Sequence, residues 1–182
     1  MSCSAPSVEH YTPAPIVEAA RIVLGGIDLD PASCMLANET VRAAAFYGEG
    51  GVAPDGLIEP WCGRVFLNPP GGKQGGRSSA ACWWKALARA WQAGEVDAAI
   101  FVGFSLEILR SAQGLGGLQP LDFPLCVPSK RIAFGTPTGP SNAPINANVI
   151  VFLPPVFRPN EWIGEDVDRF AATFDAFGRC RI

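Results

Sequence analysis

Two short stretches of this 182-residue chain carry groups that could do chemistry. In RVFLNPPGG an apolar run of strand length stops at Asn68, followed by Pro69, Pro70 and Gly71. Proline fixes φ at about −65° and drives the preceding residue toward extended geometry, so Asn68 carries its amide straight beyond the strand end. Pro70 has no N–H, which leaves the carbonyls of Asn68 and Pro69 free to face a ligand. Together with the Asn68 side-chain oxygen they form a cluster of acceptors. Such a cluster suits an amino group, orienting it and stabilising positive charge as it develops. A plain Pro-Pro loop with a capping asparagine would use the same residues and do no chemistry.

The second stretch is GGIDLDPAS. Ile27–Leu29 reads as a short strand ending in acid and proline, with Asp28 and Asp30 on one side and Leu29 on the other. One of the two acids could be only a solvated turn residue. The chain has no G-x-G-x-x-G and no Walker loop, so a dinucleotide or nucleoside-triphosphate site has no positive support. Its one histidine, His10, lies in a start expected to be frayed (residues 1–10), which weighs against histidine-dependent nucleophilic catalysis. Six cysteines with no C-x-x-C pair and a single histidine make a poor zinc set, and no metal is expected.

The elements that must position these residues follow from periodicity. A helix is expected from Pro15 to Leu24, with proline in its first turn and Gly25 closing it. MLANETVRAAAFY reads as a second helix, stopped by Gly48. SSAACWWKALARAWQAG is the strongest: Ser78 or Ser79 caps it, Gly94 ends it, and Trp84, Leu87, Ala88 and Trp91 recur at helical spacing. VDAAIFVGF is an apolar strand covered on both faces. SLEILRSAQ suggests a short helix, FPLCVP, RIAF and ANVIVFL later strands, and the tail a helix around Val167–Phe177. Strands alternating with helices, then bunched toward the C-terminus, predict an α/β sandwich: a mostly parallel sheet with an antiparallel C-terminal edge. One domain is expected over residues 1–182, with 158–182 as a C-terminal extension.

Composition sets outer bounds. The hydrophobic share of 48% supports a real core, and the net charge of −3 argues against non-specific nucleic-acid binding by bulk charge, though not against a local basic groove. With 20 glycines and 17 prolines, the chain has long shaped connections, and function is expected there. No run is long enough to span a bilayer and no signal pattern opens the chain, so a soluble cytoplasmic protein is expected.

The series YTP, LGGIDLDPAS, AN, V, FY, DGL, W-x-G-x-V-F-LNPP, WWKAL, RIAF and VIVFL, from about Glu9 to Leu153, resembles the phage-type DNA N6-adenine methyltransferases. The resemblance implies a Rossmann-like fold, S-adenosylmethionine as cofactor, DNA as partner and a bacterial or phage-infected cell as setting. It assigns Asn68 and the Pro69 carbonyl to the target amine, with Pro70 fixing the loop. Tyr11, Thr12 and Pro13 would line the methionine end of the cofactor. Asp30, Pro31 and Ala32 would hold its amino or ribose groups, with Asp28 the runner-up, and Asp55, Gly56 and Leu57 would lie near its adenine. Arg131 in SKRIAF matches a family position of open role.

One departure stands out. Where the family pattern has an aromatic ring that stacks on the target base, this chain has Gly71. Trp83, Trp84 and Trp61 are the candidate substitutes, although indoles on a helix commonly pack the core. Lys73 and Arg77, in the glycine-rich loop beside the site, could contact phosphates or simply be solvated. Another amine (cytosine N4, an RNA base or a small nucleotide) and a non-catalytic binding module of the same fold are the rival readings.

Overall fold

The computed structural model describes residues 10–136, 139–140, 146–158, 161–162 and 164–182. The frayed start expected for residues 1–9 lies outside this set, as does most of the Pro-rich loop around residues 137–145. Helix α1 (Ala14–Leu24) follows Pro13 and ends at Gly25, whose φ of +73° and N–H bond to the Arg21 carbonyl make a left-handed cap. Then come β1 (Leu29–Cys34), α2 (Met35–Val41), β2 (Ala45–Glu49), β3 (Gly63–Leu67), α3 (Ser79–Gln92) and β4 (Val96–Gly103). The last part holds α4 (Ile108–Ser111), β5 (Leu125–Pro128), β6 (Val149–Leu153), α5 (Gly164–Phe174) and β7 (Gly178–Arg181).

The seven strands form one sheet in the order β2-β1-β3-β4-β6-β5-β7. The first four are mutually parallel. β6 is antiparallel to both β4 and β5, and β7 is antiparallel to β5. The mostly parallel sheet and its antiparallel C-terminal edge are as expected.

Alternation along the central strands divides the core. Val65, Leu67, Ala99, Phe101, Val151 and Leu153 face α3 and its Trp83, Trp84, Leu87 and Trp91. Phe66, Ile100, Val102, Ile150 and Phe152 face the other way, against Ile16, Val17 and Ala20 of α1 and Phe170 and Phe174 of α5. Both faces are thus covered, which is why AIFV needs no polar residue. Each large side chain removed from water contributes about 1.5–3 kcal/mol before entropy is counted.

Four elements depart from expectation. Where a strand is expected over Ile27–Leu29, β1 begins at Leu29 and runs on through Asp30 and Pro31 to Cys34. The second helix stops at Val41, and residues 45–49 form β2 instead. Asn38 makes the break: its Oδ1 accepts the Ala43 N–H at 2.9 Å, while Arg42 caps the helix at φ +50°. RIAF is not a strand; the Ile132 N–H is taken by the Asn148 side chain at 2.8 Å. The C-terminal segment returns as the edge strand β7 rather than ending in a helix alone. Among the described residues no helix is long and apolar enough to cross a membrane.

Candidate functional site

The parallel strands β1, β3 and β4 end on the same edge of the sheet, the place where open α/β sheets bind ligands. There a cavity of about 210 Å³ is lined by residues from four distant stretches: Tyr11 and Thr12, Asp30–Ala32, Asp55 and Gly56, and Asn68–Gly71. Trp83 lines it too. Most of the residues singled out in the sequence therefore meet in one place.

Asn68 follows β3 directly. Its Nδ2 donates to the His10 carbonyl at 2.6 Å. A carbonyl accepts only from the NH₂ end of an amide, so this bond fixes the side chain and turns Oδ1 the opposite way as an acceptor. Pro69 is buried, while Pro70 and Gly71 are exposed. An incoming group therefore meets the loop from the Gly71 side. A Cβ built at Gly71 would meet nothing within 4 Å, so the missing ring leaves open space.

Asp30 is 2% exposed. Its Oδ1 accepts the Ala32 N–H at 3.1 Å. Pro31 has no N–H for the ladder, and the register of β1 against β2 slips between Asp30 and Ser33. Burial dominates the acid's titration and pushes its pKa up to about 7, partly opposed by the Ala32 N–H.

Two glycines let neighbouring backbone, the loop at Gly56 and strand β2 at Gly48, come close against this bent strand. A Cβ on Gly56 would lie 1.9 Å from the Pro31 carbonyl oxygen, and one on Gly48 would lie 1.9 Å from that of Ser33. Gly56→Ala should therefore cost about 3 kcal/mol or more of unfolding free energy, because backbone must move to admit the methyl group. Denaturant unfolding of the purified variant checks this; an unchanged midpoint would mean the loop does not rest on Pro31. The Gly56 carbonyl also accepts the Trp61 indole N–H at 2.6 Å, and Asp55 Oδ1 takes the Leu57 N–H at 3.0 Å.

Several expected site residues, Trp61 and Arg77 among them, lie outside the cavity. Asp28 stands at the foot of β1, two residues from Asp30 and so about 7 Å further from the strand end. It pairs with Arg64 on β3, accepting from Nη2 at 2.7 Å and from Nε and the backbone N–H at 2.8 Å. Those bonds hold its carboxyl below the ordinary range, as a structural strut. Pro13 is the cap of α1. Leu57 packs on the core beneath its loop. Trp84 is core, with its N–H on the Leu118 carbonyl and its ring edge-to-face with Phe101 and Phe123. Arg131 and Lys73 are exposed and outside the cavity.

The glycine-rich loop is more ordered than its composition suggests. Lys73–Gln74 pairs with Arg77–Ser78 across Gly75 and Gly76, both at positive φ, as a tight hairpin requires. The Ser79 N–H on the Gly72 carbonyl closes its base at 3.0 Å. The hairpin stands beside Gly71 and carries Lys73 and Arg77 in solvent.

His10, dismissed on sequence grounds, is part of the site. Its ring stacks on Phe104 (centroids 4.4 Å apart, 27°) and meets Phe134 edge-on at 6.1 Å. Burial lowers its pKa, so the imidazole is neutral at pH 7. The next residue, Tyr11, exchanges both backbone hydrogen bonds with Gly135 at 2.8 Å. Buried Asn148 ties the supports together, donating to the Phe104 carbonyl at 2.7 Å while accepting from Ile132. Phe104, the first residue after β4, was findable as the counterpart of Asn68 at the end of the neighbouring strand. Cys34 and Tyr47 are also in the wall; Tyr47 belongs to the FY of the family-like series, and neither is assigned a role from the sequence.

Among the described residues no group of three or more His, Cys, Asp or Glu could hold a metal ion. No family model and no curated protein matches the chain. What the fold and site define is a class: an α/β protein with one acceptor-rich cavity at the carboxyl ends of its parallel strands.

Proposed function

We propose that this chain is an S-adenosylmethionine-dependent methyltransferase acting on an exocyclic amine, adenine N6 in DNA before others. The observation that carries the proposal is the meeting of the YT, DPA, DG and NPPG stretches around a cavity, with a buried carboxyl and a pre-set asparagine oxygen beside it. The polar groups fit such a cofactor. Among the described residues Asp30 has no cation beside it, and the buried Thr12 hydroxyl has no partner. A ligand with an ammonium group and hydroxyls would answer both.

When bound, S-adenosylmethionine supplies the methyl group on an electron-poor sulfur. The chain's own residues hold and align. Asn68 Oδ1 and the Pro69 carbonyl accept the two hydrogens of the amine, turning its lone pair away from them. Transfer would form the nitrogen–carbon bond as the carbon–sulfur bond breaks to leave a neutral thioether; positive charge grows on nitrogen, these acceptors strengthen their hold, and one N–H proton then passes to water. Asp30 binds the cofactor's cationic or hydroxyl groups from the strand-end side. Lys73 and Arg77 on the exposed hairpin suit backbone phosphates. A base from a duplex would have to be flipped out, which costs a few kcal/mol.

Calorimetric titration with S-adenosylmethionine, followed by transfer of labelled methyl to duplex DNA, single strands and free nucleotides, tests the proposal. Saturable binding and label on adenine N6 of DNA are expected. No binding at millimolar cofactor would sink it. Label on free nucleotide or cytosine instead would favour the rival amines, which the net charge of −3 makes reasonable.

The vacancy at Gly71 yields a second expectation. Because a side chain there meets nothing, Gly71→Tyr should fold normally. Base stacking is worth roughly 1–3 kcal/mol, so KM for an extruded-base substrate should fall about ten-fold. An unchanged KM would mean that the target does not lie against residue 71.

A further inference from the structure

Trp83 has an unmet need that its neighbours lack. It lies in the second turn of α3, 5% exposed, stacked on Trp61 with centroids 5.8 Å apart and planes at 23°. Its far edge comes within 3.2 Å of the position a Gly56 Cβ would take. The indole N–H groups of Trp61, Trp84 and Trp91 all donate to backbone carbonyls, at 2.6, 2.9 and 2.7 Å. That of Trp83 is equally buried and has no acceptor among the described residues. A buried N–H without a partner is disfavoured unless something else fills the role. Trp83 is also the one of these four that lines the cavity.

The wall around it indicates what that partner is. Pro31, Pro54 and Gly56 lie on this side, and Tyr47 is brought in by the bridge between it and Ala53. Apart from Asp55, whose Oδ1 is held by the Leu57 N–H, these groups are uncharged and suit a planar ring better than a zwitterion. The charged end of a ligand has its answer in Asp30. We infer that Trp83 is a ligand-binding residue that donates its indole N–H to an acceptor atom of the adenosine half of the bound cofactor. Its ring is thus engaged with Trp61, and it acts through its edge rather than by stacking on the target base. The inference rests on the methyltransferase proposal only for which adenosine compound is bound.

Two replacements separate the N–H from the ring: Trp83→Phe, and incorporation of benzothienylalanine at residue 83, which keeps the indole shape and lacks the N–H. Each is titrated with S-adenosylhomocysteine and with adenosine, beside the wild type. Both ligands should bind the two variants about ten-fold more weakly, as expected for one buried hydrogen bond. In ¹⁵N-labelled wild type, one of the five indole N–H signals should move downfield on ligand addition, and it should be the signal absent from Trp83→Phe. Equal binding by wild type and the benzothienyl variant would overturn the inference while leaving the cofactor proposal intact. Wild type that binds adenosine but not S-adenosylhomocysteine would overturn the cofactor proposal and keep Trp83. Binding of neither would overturn both.

Discussion

Asp30→Asn should weaken S-adenosylmethionine binding at least about 100-fold at pH 8, because it removes the buried partner of a cationic ligand. The same change should remove a pH slope from the stability of the ligand-free protein. The folded pKa of Asp30 is raised by burial to about 7 from an ordinary 3.8. Between those values the native state holds a proton that the unfolded chain has given up. Stability must therefore fall as pH rises through this window and level off above pH 7. Asparagine takes the shape of the acid without the titration, so the variant should be the more stable at pH 8 and lack this slope. Binding runs the other way: only ionised Asp30 pairs with a cation, so wild-type affinity should rise with pH up to about 7 and then flatten. Thermal unfolding at pH 5 and 8, with titrations at pH 6 and 8, checks both halves. A variant that binds as tightly as wild type would remove Asp30 from the site.

Asn68→Ala should reduce methyl transfer by about 10²–10³, the usual cost of one preorganised group at a developing charge. Cofactor affinity should stay within about two-fold, since no cofactor contact is assigned to Asn68. Asn68→Asp is the sharper probe. It keeps the acceptor but places a carboxylate oxygen against the His10 carbonyl, where Nδ2 now donates at 2.6 Å. Its activity should fall between alanine and wild type and recover at lower pH as the acid takes a proton. Single-turnover transfer with saturating cofactor measures these effects. Undiminished transfer by the alanine variant would mean that Oδ1 does not face the amine.

The parts of the site that could be read in advance are those where the chain is punctuated. Proline after Asn68 and after Asp30 restricts the backbone locally, so a projecting polar group is visible without the fold, although Asp30 lies near the start of β1 and not at its end. Asp28 and Asp30 could not be told apart that way. Their difference depends on where β1 starts, and Arg64, 36 residues away, claims the first of them. His10 was unreadable for a related reason. Nothing near it in sequence orders it; its hold comes from Phe104 and Phe134. The segment of β2 reads as helix because its alanines continue the helical run before it, and the break is made by the Asn38 side chain reaching forward to Ala43. The helix of tryptophans was recognised from its spacing, but which indole lacked an acceptor is a property of the assembled walls.

The pairing of Tyr11 with Gly135 also bears on how the molecule comes into being. On a ribosome the DPA and NPPG loops emerge early, and β1 can pair with β3 while the rest is still being made. The His10 carbonyl that orients Asn68 can take its place only once Phe104, Phe134 and Gly135 have cleared the exit tunnel. Nascent chains shorter than this carry the motifs without the orientation. The competence of the site is therefore a late event in synthesis, and slow folding of the segment around Gly135 would delay it without delaying formation of the sheet's parallel half.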